Sequence, residues 1–124
     1  MILVDSSVWI DHLRRLDAGL AALLAARVVL CHPFVIGELA CGNLSKRELL
    51  FEALSRLPTA PTVAHDEVLA FVARRKLAGR GIGWVDAHLL ASATLAGRAS
   101  LWSRDKRLAA VASELGLAYL GALH

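Results

Sequence analysis

Short apolar runs alternate with longer amphipathic stretches along this chain, a pattern that predicts strands interleaved with helices. Ile2-Leu3-Val4 is compact and partly β-branched, as a buried strand requires. Ser6 or Ser7 can cap a helix from about Val8 to about Arg14. A helix rich in Ala and Leu is expected over about 17–26, followed by a second strand at Val28-Val29-Leu30-Cys31. Pro33 suits the first residue of a helix ending near Gly42. Ser45-Lys46-Arg47-Glu48 has the spacing of a capping box, opening a helix to about Leu57.

After Pro58 and Pro61, a helix is expected from about Asp66 to Ala78, and Gly79, Gly81 and Gly83 then form a turn. Asp86 falls in the first turn of a helix to about Ala96. Ser100-Leu101-Trp102 reads as a third strand, Lys106–Leu115 as the last helix and Ala118-Tyr119-Leu120 as a closing strand. Such alternation predicts an α/β fold of three layers, α/β/α, around a central, mainly parallel sheet. The 124 residues fit one domain, 1–124, with no repeat or linker.

Against this pattern, isolated acids stand out. Asp5 ends the first apolar run, Glu38 is the only formal charge between Arg27 and Lys46, and Asp86 is the only one between Arg80 and Arg98. A buried carboxylate without a partner is costly, so isolated acids in apolar sequence pair or bind a metal. Parallel α/β sheets place their sites beyond the carboxyl ends of strands. Asp5 follows the first strand directly, and Asp105 comes three residues after Trp102, at the same edge. Glu38 and Asp86 can reach that edge from helices. Converged, the four would form an all-oxygen site for a hard divalent cation such as Mg2+ or Mn2+. Each also has a plainer reading. Asp5 and Asp105 could cap helices, Glu38 could bond a buried backbone group or an Arg, and Asp86 favours a helix N-terminus.

The chain is 56% hydrophobic with a mean hydropathy of +0.53, yet its charge-free stretches are too short to cross a bilayer. No membrane association is expected; partner subunits would cover part of the apolar surface. No basic segment precedes Asp5, so no leader peptide is expected and the protein should be cytoplasmic. Cys31 and Cys41 read as small hydrophobes. His12, His32, His65, His88 and His124 lack zinc-ligand spacing, although His88 could approach the site. There is no nucleophile elbow around Ser6 and Ser7, and a haloacid-dehalogenase phosphatase would need a second Asp where Ser7 stands. A net charge of +3, with basic groups at 74–80 and 104–107, suits a polyanionic substrate around an acidic centre. A metal held by carboxylates activates water for phosphodiester hydrolysis.

Four segments in register carry a resemblance. They are Leu3-Val4-Asp5-Ser6-Ser7-Val8-Trp9-Ile10, Ile36-Gly37-Glu38-Leu39, Val85-Asp86-Ala87-His88-Leu89-Leu90-Ala91-Ser92-Ala93 and Leu101-Trp102-Ser103-Arg104-Asp105-Lys106-Arg107-Leu108. Together they resemble the PIN-domain family over the whole chain, and within it the small VapC-type ribonuclease toxins of toxin–antitoxin systems. The resemblance implies an endoribonuclease dependent on Mg2+ or Mn2+, with Asp5, Glu38, Asp86 and Asp105 as its catalytic acids. It further implies that Asp5 and Asp86 are the main metal ligands, that Asp105 completes their shell and that Glu38 orients or deprotonates the attacking water. Ser103 would hold Asp105 or a metal-bound water. RNA as substrate, a homodimer and a cognate antitoxin whose C-terminal segment covers the site are also implied. Two other readings stay open: a non-catalytic module binding RNA or protein on the same scaffold, and a metal-dependent DNA nuclease or phosphatase.

Overall fold

The computed structural model describes residues 1–97 and 99–123. Its sheet has three strands, β1 (Ile2–Val4), β2 (Val29–Leu30) and β3 (Ser100–Trp102), in the order β2-β1-β3 and parallel throughout. Seven helices surround it: α1 (Ser6–Arg14), α2 (Ala18–Ala25), α3 (Pro33–Cys41), α4 (Arg47–Ser55), α5 (His65–Arg74), α6 (Trp84–Leu95) and α7 (Lys106–Glu114). Successive strand residues point to opposite faces. Leu3 with Val4, Val29 with Leu30, and Leu101 with Trp102 are all buried, so both faces are covered. This is the layered, parallel α/β architecture expected from the sequence.

Chain direction explains where the sheet opens. From β1 the chain moves to β2 on one side. From β3 it moves through α7 to the other side, where Ala118 bridges Leu101 in parallel. The opening between the carboxyl ends of β1 and β3 is therefore the topological switch point, the customary crevice of such sheets. Asp5 stands in that opening, and its backbone N–H donates to the Trp102 carbonyl at 2.9 Å. Beneath it α6 crosses the interior, buried at every residue from Ala87 through Ala93.

Several boundaries depart from the sequence expectation. The helix expected from Val8 begins at Ser6, because Asp5 is the cap residue in extended conformation and its side chain bonds no helix N–H. Ser45 forms no capping box: α4 starts after Lys46, which is left-handed at φ 54° and provides no side-chain cap. α5 stops at Arg74 rather than Ala78, since Lys76 is left-handed at φ 55° and turns Leu77 into the core. The closing strand reduces to the single bridge at Ala118, after which Leu120–Leu123 forms a 3-10 turn. An unforeseen bridge pairs Cys31 with Thr59, fixed by hydrogen bonds from Cys31 N–H to Pro58 and from Ala60 N–H to Cys31.

Candidate active site

Asp5 is 95% withdrawn from solvent, at 5% exposure, and its placement is set by two hydroxyls. Ser7 Oγ, in the first turn of α1, and Ser103 Oγ, just past β3, each donate to Asp5 Oδ2 at 2.8 Å. These serines also stitch the two strand ends together. Ser7 Oγ accepts the Arg104 N–H at 3.0 Å, and Ser103 Oγ accepts the Asp105 N–H at 3.0 Å. Ser103 thus holds Asp105, as one of its two expected roles had it, through the backbone N–H, and it also holds the Asp5 side chain. The role of Ser7 is not legible in the sequence, because its contacts with residues 103 and 104 cross the sheet opening.

Glu38, on α3, accepts from Ser6 Oγ through Oε1 at 3.1 Å. Asp86, half-buried in the first turn of α6, accepts the Gly83 N–H through Oδ2 at 3.0 Å. Asp105 caps α7, with Oδ1 accepting from the N–H groups of Arg107 and Leu108 at 2.9 and 3.0 Å. The plainer readings of Asp86 and Asp105 are therefore true as far as they go: each serves its own helix. Yet a common division runs through all four acids. One oxygen is used for orientation, and the other (Asp5 Oδ1, Glu38 Oε2, Asp86 Oδ1, Asp105 Oδ2) accepts no hydrogen bond from the described residues. None of the four enters an ion pair among those residues.

The electrostatics show which acids sense one another. Crowding around its carboxyl raises the pKa of Glu38, although much of that side chain is exposed; the Ser6 hydrogen bond opposes this, and the charges of Asp5 and Asp86 add to it. Asp86 is raised first by burial, against the Gly83 N–H, and then by Asp5 and Asp105. Asp5, Glu38 and Asp86 thus share one field, and Asp105 joins it through Asp86. Among the described residues, no three His, Cys, Asp or Glu side chains close on a point that would hold an ion. The donor set itself fits a hard divalent cation: oxygens only, each with one oxygen free, and no basic side chain occupying the centre.

His88 does not reach this centre. It lies buried between the rings of Phe34 and Trp84, with centroids at 4.5 and 4.8 Å. His32, also buried, accepts the Phe34 N–H at Nδ1, so Nε2 carries the proton and donates to Ser92 Oγ at 3.0 Å. Burial, reinforced by His88, lowers the His32 pKa to about 4. Cys31 is buried and Cys41 exposed, so only the first behaves as the packed hydrophobe expected of both. The Arg107 side chain lies on Gly81 so closely that a Cβ there would sit 2.6 Å from Arg107 Cδ. With φ at +80°, that position accepts glycine on conformational grounds as well.

The PIN domain profile matches residues 2–114, spanning all four acids. The chain belongs to the PIN domain family. Its curated relatives include Ribonuclease VapC32 from Mycobacterium tuberculosis, in strains CDC 1551 / Oshkosh and ATCC 25618 / H37Rv. To each of these it is 54% identical over 118 residues, covering 95% of both chains. The crystal structure of PAE2754 from Pyrobaculum aerophilum superposes with a TM-score of 0.60 at 19% identity, covering 98% of this chain and 85% of that one. That likeness bears on the fold of this PIN domain alone. No helix among the described residues is long and apolar enough to cross a membrane.

Proposed function

We propose that this PIN domain is a metal-dependent endoribonuclease of the VapC toxin type, cytoplasmic, homodimeric and restrained by a cognate antitoxin. The observation that carries the reading is near-full-length identity of 54% to a protein named as a ribonuclease, in a chain whose four acids each keep one oxygen free. Asp5, Asp86 and Asp105 would hold Mg2+ or Mn2+. Such an ion, when bound, makes a water molecule acidic and neutralises charge on the phosphoryl oxygens.

The protein's own part is positional. Ser7 and Ser103 hold Asp5 by one oxygen and leave the other free to bind a cation, which removes the entropy of a free carboxylate. Glu38, with its pKa raised, takes the proton of the attacking water as the water oxygen bonds to phosphorus. The departing ribose oxygen is protonated by solvent, and the products are one phosphomonoester end and one hydroxyl end. Exposed Leu49, Leu69, Leu95 and Leu120 give a partner copy and an antitoxin apolar surface to cover.

Antitoxin-free protein is expected to cut RNA with Mn2+ or Mg2+, to stop in EDTA, and to leave single-stranded DNA and a simple phosphomonoester intact. RNA cleavage by Asp5→Ala protein at the wild-type rate would overturn the assignment. Equal action on the phosphomonoester would move it to a phosphatase.

A further inference from the structure

Phe34 precedes Glu38 by one turn of α3, so the two side chains share a face of the helix. They open onto one shallow groove of about 630 Å³, lined by Pro33, Phe34, Gly37, Glu38, Cys41 and Val85. Glu38 is the one charged group on that wall. Gly37 lies between Phe34 and Glu38, and a Cβ built there meets no atom within 4 Å, so the floor is open and flat.

Phe34 is 38% exposed, yet its ring is firmly held. Its backbone N–H is fixed by His32 Nδ1 at 3.0 Å, and the His32 ring meets it edge-on at 5.4 Å and 72°. The His88 ring lies 4.5 Å from it on another side, and the series continues through Trp84 to His65, with centroids 4.8 and 4.9 Å apart. A rigid aromatic ring left in water beside an acidic centre gains by covering its free face. A planar base does so at little cost in ordering, because the ring is already fixed.

Charge favours nucleic acid as the occupant. Next to Asp105, Lys106 and Arg107 form a short cationic rim, with the Arg107 side chain against Gly81. Lys106 and Arg107 have no ion-pair partner among the described residues. A phosphate backbone on that rim and a base on Phe34 would bracket the four acids.

We propose that Phe34 is the stacking platform for an unpaired base beside the scissile phosphate. The proposal rests on the ribonuclease reading and names a residue that positions its substrate. It is tested with a short, unstructured, mixed-sequence oligoribonucleotide carrying a fluorescent end label. Anisotropy in Mn2+ is read in Asp5→Asn protein, which removes a ligand needed for cutting; cleavage is read in protein with Asp5 intact. Phe34→Leu keeps the apolar bulk and removes the π-face, whereas Phe34→Tyr keeps both. Phe34→Leu is expected to weaken binding of the single strand roughly tenfold, with Phe34→Tyr near wild type. The same RNA annealed into a duplex should bind alike in all three.

Equal single-strand binding by the Leu and wild-type proteins would overturn the proposal and mark the ring as an apolar surface for a protein partner. Equal losses in Leu and Tyr would also overturn it, as damage to packing. Phe34-dependent binding without any metal-dependent cutting would sustain the platform and overturn the ribonuclease reading, so the two failures are distinguishable.

Discussion

Two groups of acids sit on neighbouring parts of this surface and are treated in opposite ways. Asp11 and Asp17 both take the guanidinium of Arg104, whose Nε lies 3.2 Å from Asp11. The Asp17 carboxyl is held below the usual range, first by the Leu20 N–H and then by Arg104. Asp5, Glu38, Asp86 and Asp105 receive no cation, and Glu38 and Asp86 are pushed upward. Arg104 is the residue next to Asp105 and its own N–H bonds Ser7, so a compensating charge was within reach of the second group. Its side chain instead lies over the Trp102 ring, 5.7 Å from the centroid, and turns away to Asp17. Satisfying the first group is what keeps the second unsatisfied, and an unsatisfied acid cluster is a standing demand for an external cation.

That contrast can be broken most severely at Asp5. Asp5→Ala should lower the cleavage rate at least about a hundredfold, and Mn2+ should no longer raise its thermal midpoint. A midpoint that still climbs with Mn2+ as in wild type would place the ion elsewhere. Ser103→Ala keeps every acid but frees Asp5, and should raise the Mn2+ concentration for half-maximal cleavage by about 10–100-fold with little change in far-ultraviolet circular dichroism. Asp17→Asn retains an acceptor for the Leu20 N–H while loosening Arg104. If the arginine then swings toward the acids, the Mn2+ concentration for half-maximal cleavage should rise several-fold; an unchanged value would show that Asp11 alone suffices to hold it.

The smallest effect concerns stability without metal. The raised pKa of Glu38 means that its charge opposes folding above that pKa, and the penalty vanishes as pH falls through it. Glu38→Gln keeps an acceptor for Ser6. At pH 7 in EDTA it should therefore stabilise the fold, by a few tenths of a kcal/mol given the exposure of the side chain. Urea denaturation measures it, and saturating Mn2+ should narrow the difference between the two proteins.

The sequence disclosed what depends on local pattern. Strand β1, the seven helices and the parallel sheet follow from apolar runs and periodicity, and Asp5 at a strand end follows from fold logic. Contacts between distant segments stayed hidden. Nothing near Ser7 or Ser103 announces that both hydroxyls meet on one oxygen of Asp5, 98 residues from Ser103. Local signals also misled where tertiary packing prevailed: Ser45 had the right spacing for a cap, but the chain enters α4 through a left-handed Lys46. The end of the chain shows the same limit. Ala118-Tyr119-Leu120 has the residues of a strand, yet only one bridge forms before the backbone tightens into a 3-10 turn.

The unequal burial of the two cysteines has a practical consequence. Cys31 is sealed in the core, and burial raises its thiol pKa, so alkylation there is suppressed twice over. Cys41 is exposed on the wall of the groove that Phe34 and Glu38 share. An alkylating reagent applied to the folded protein should therefore modify one site per chain, and the speed of that modification becomes a clock for how often the groove is covered. The protein carries its own footprinting probe, and whatever settles beside Glu38 should slow it.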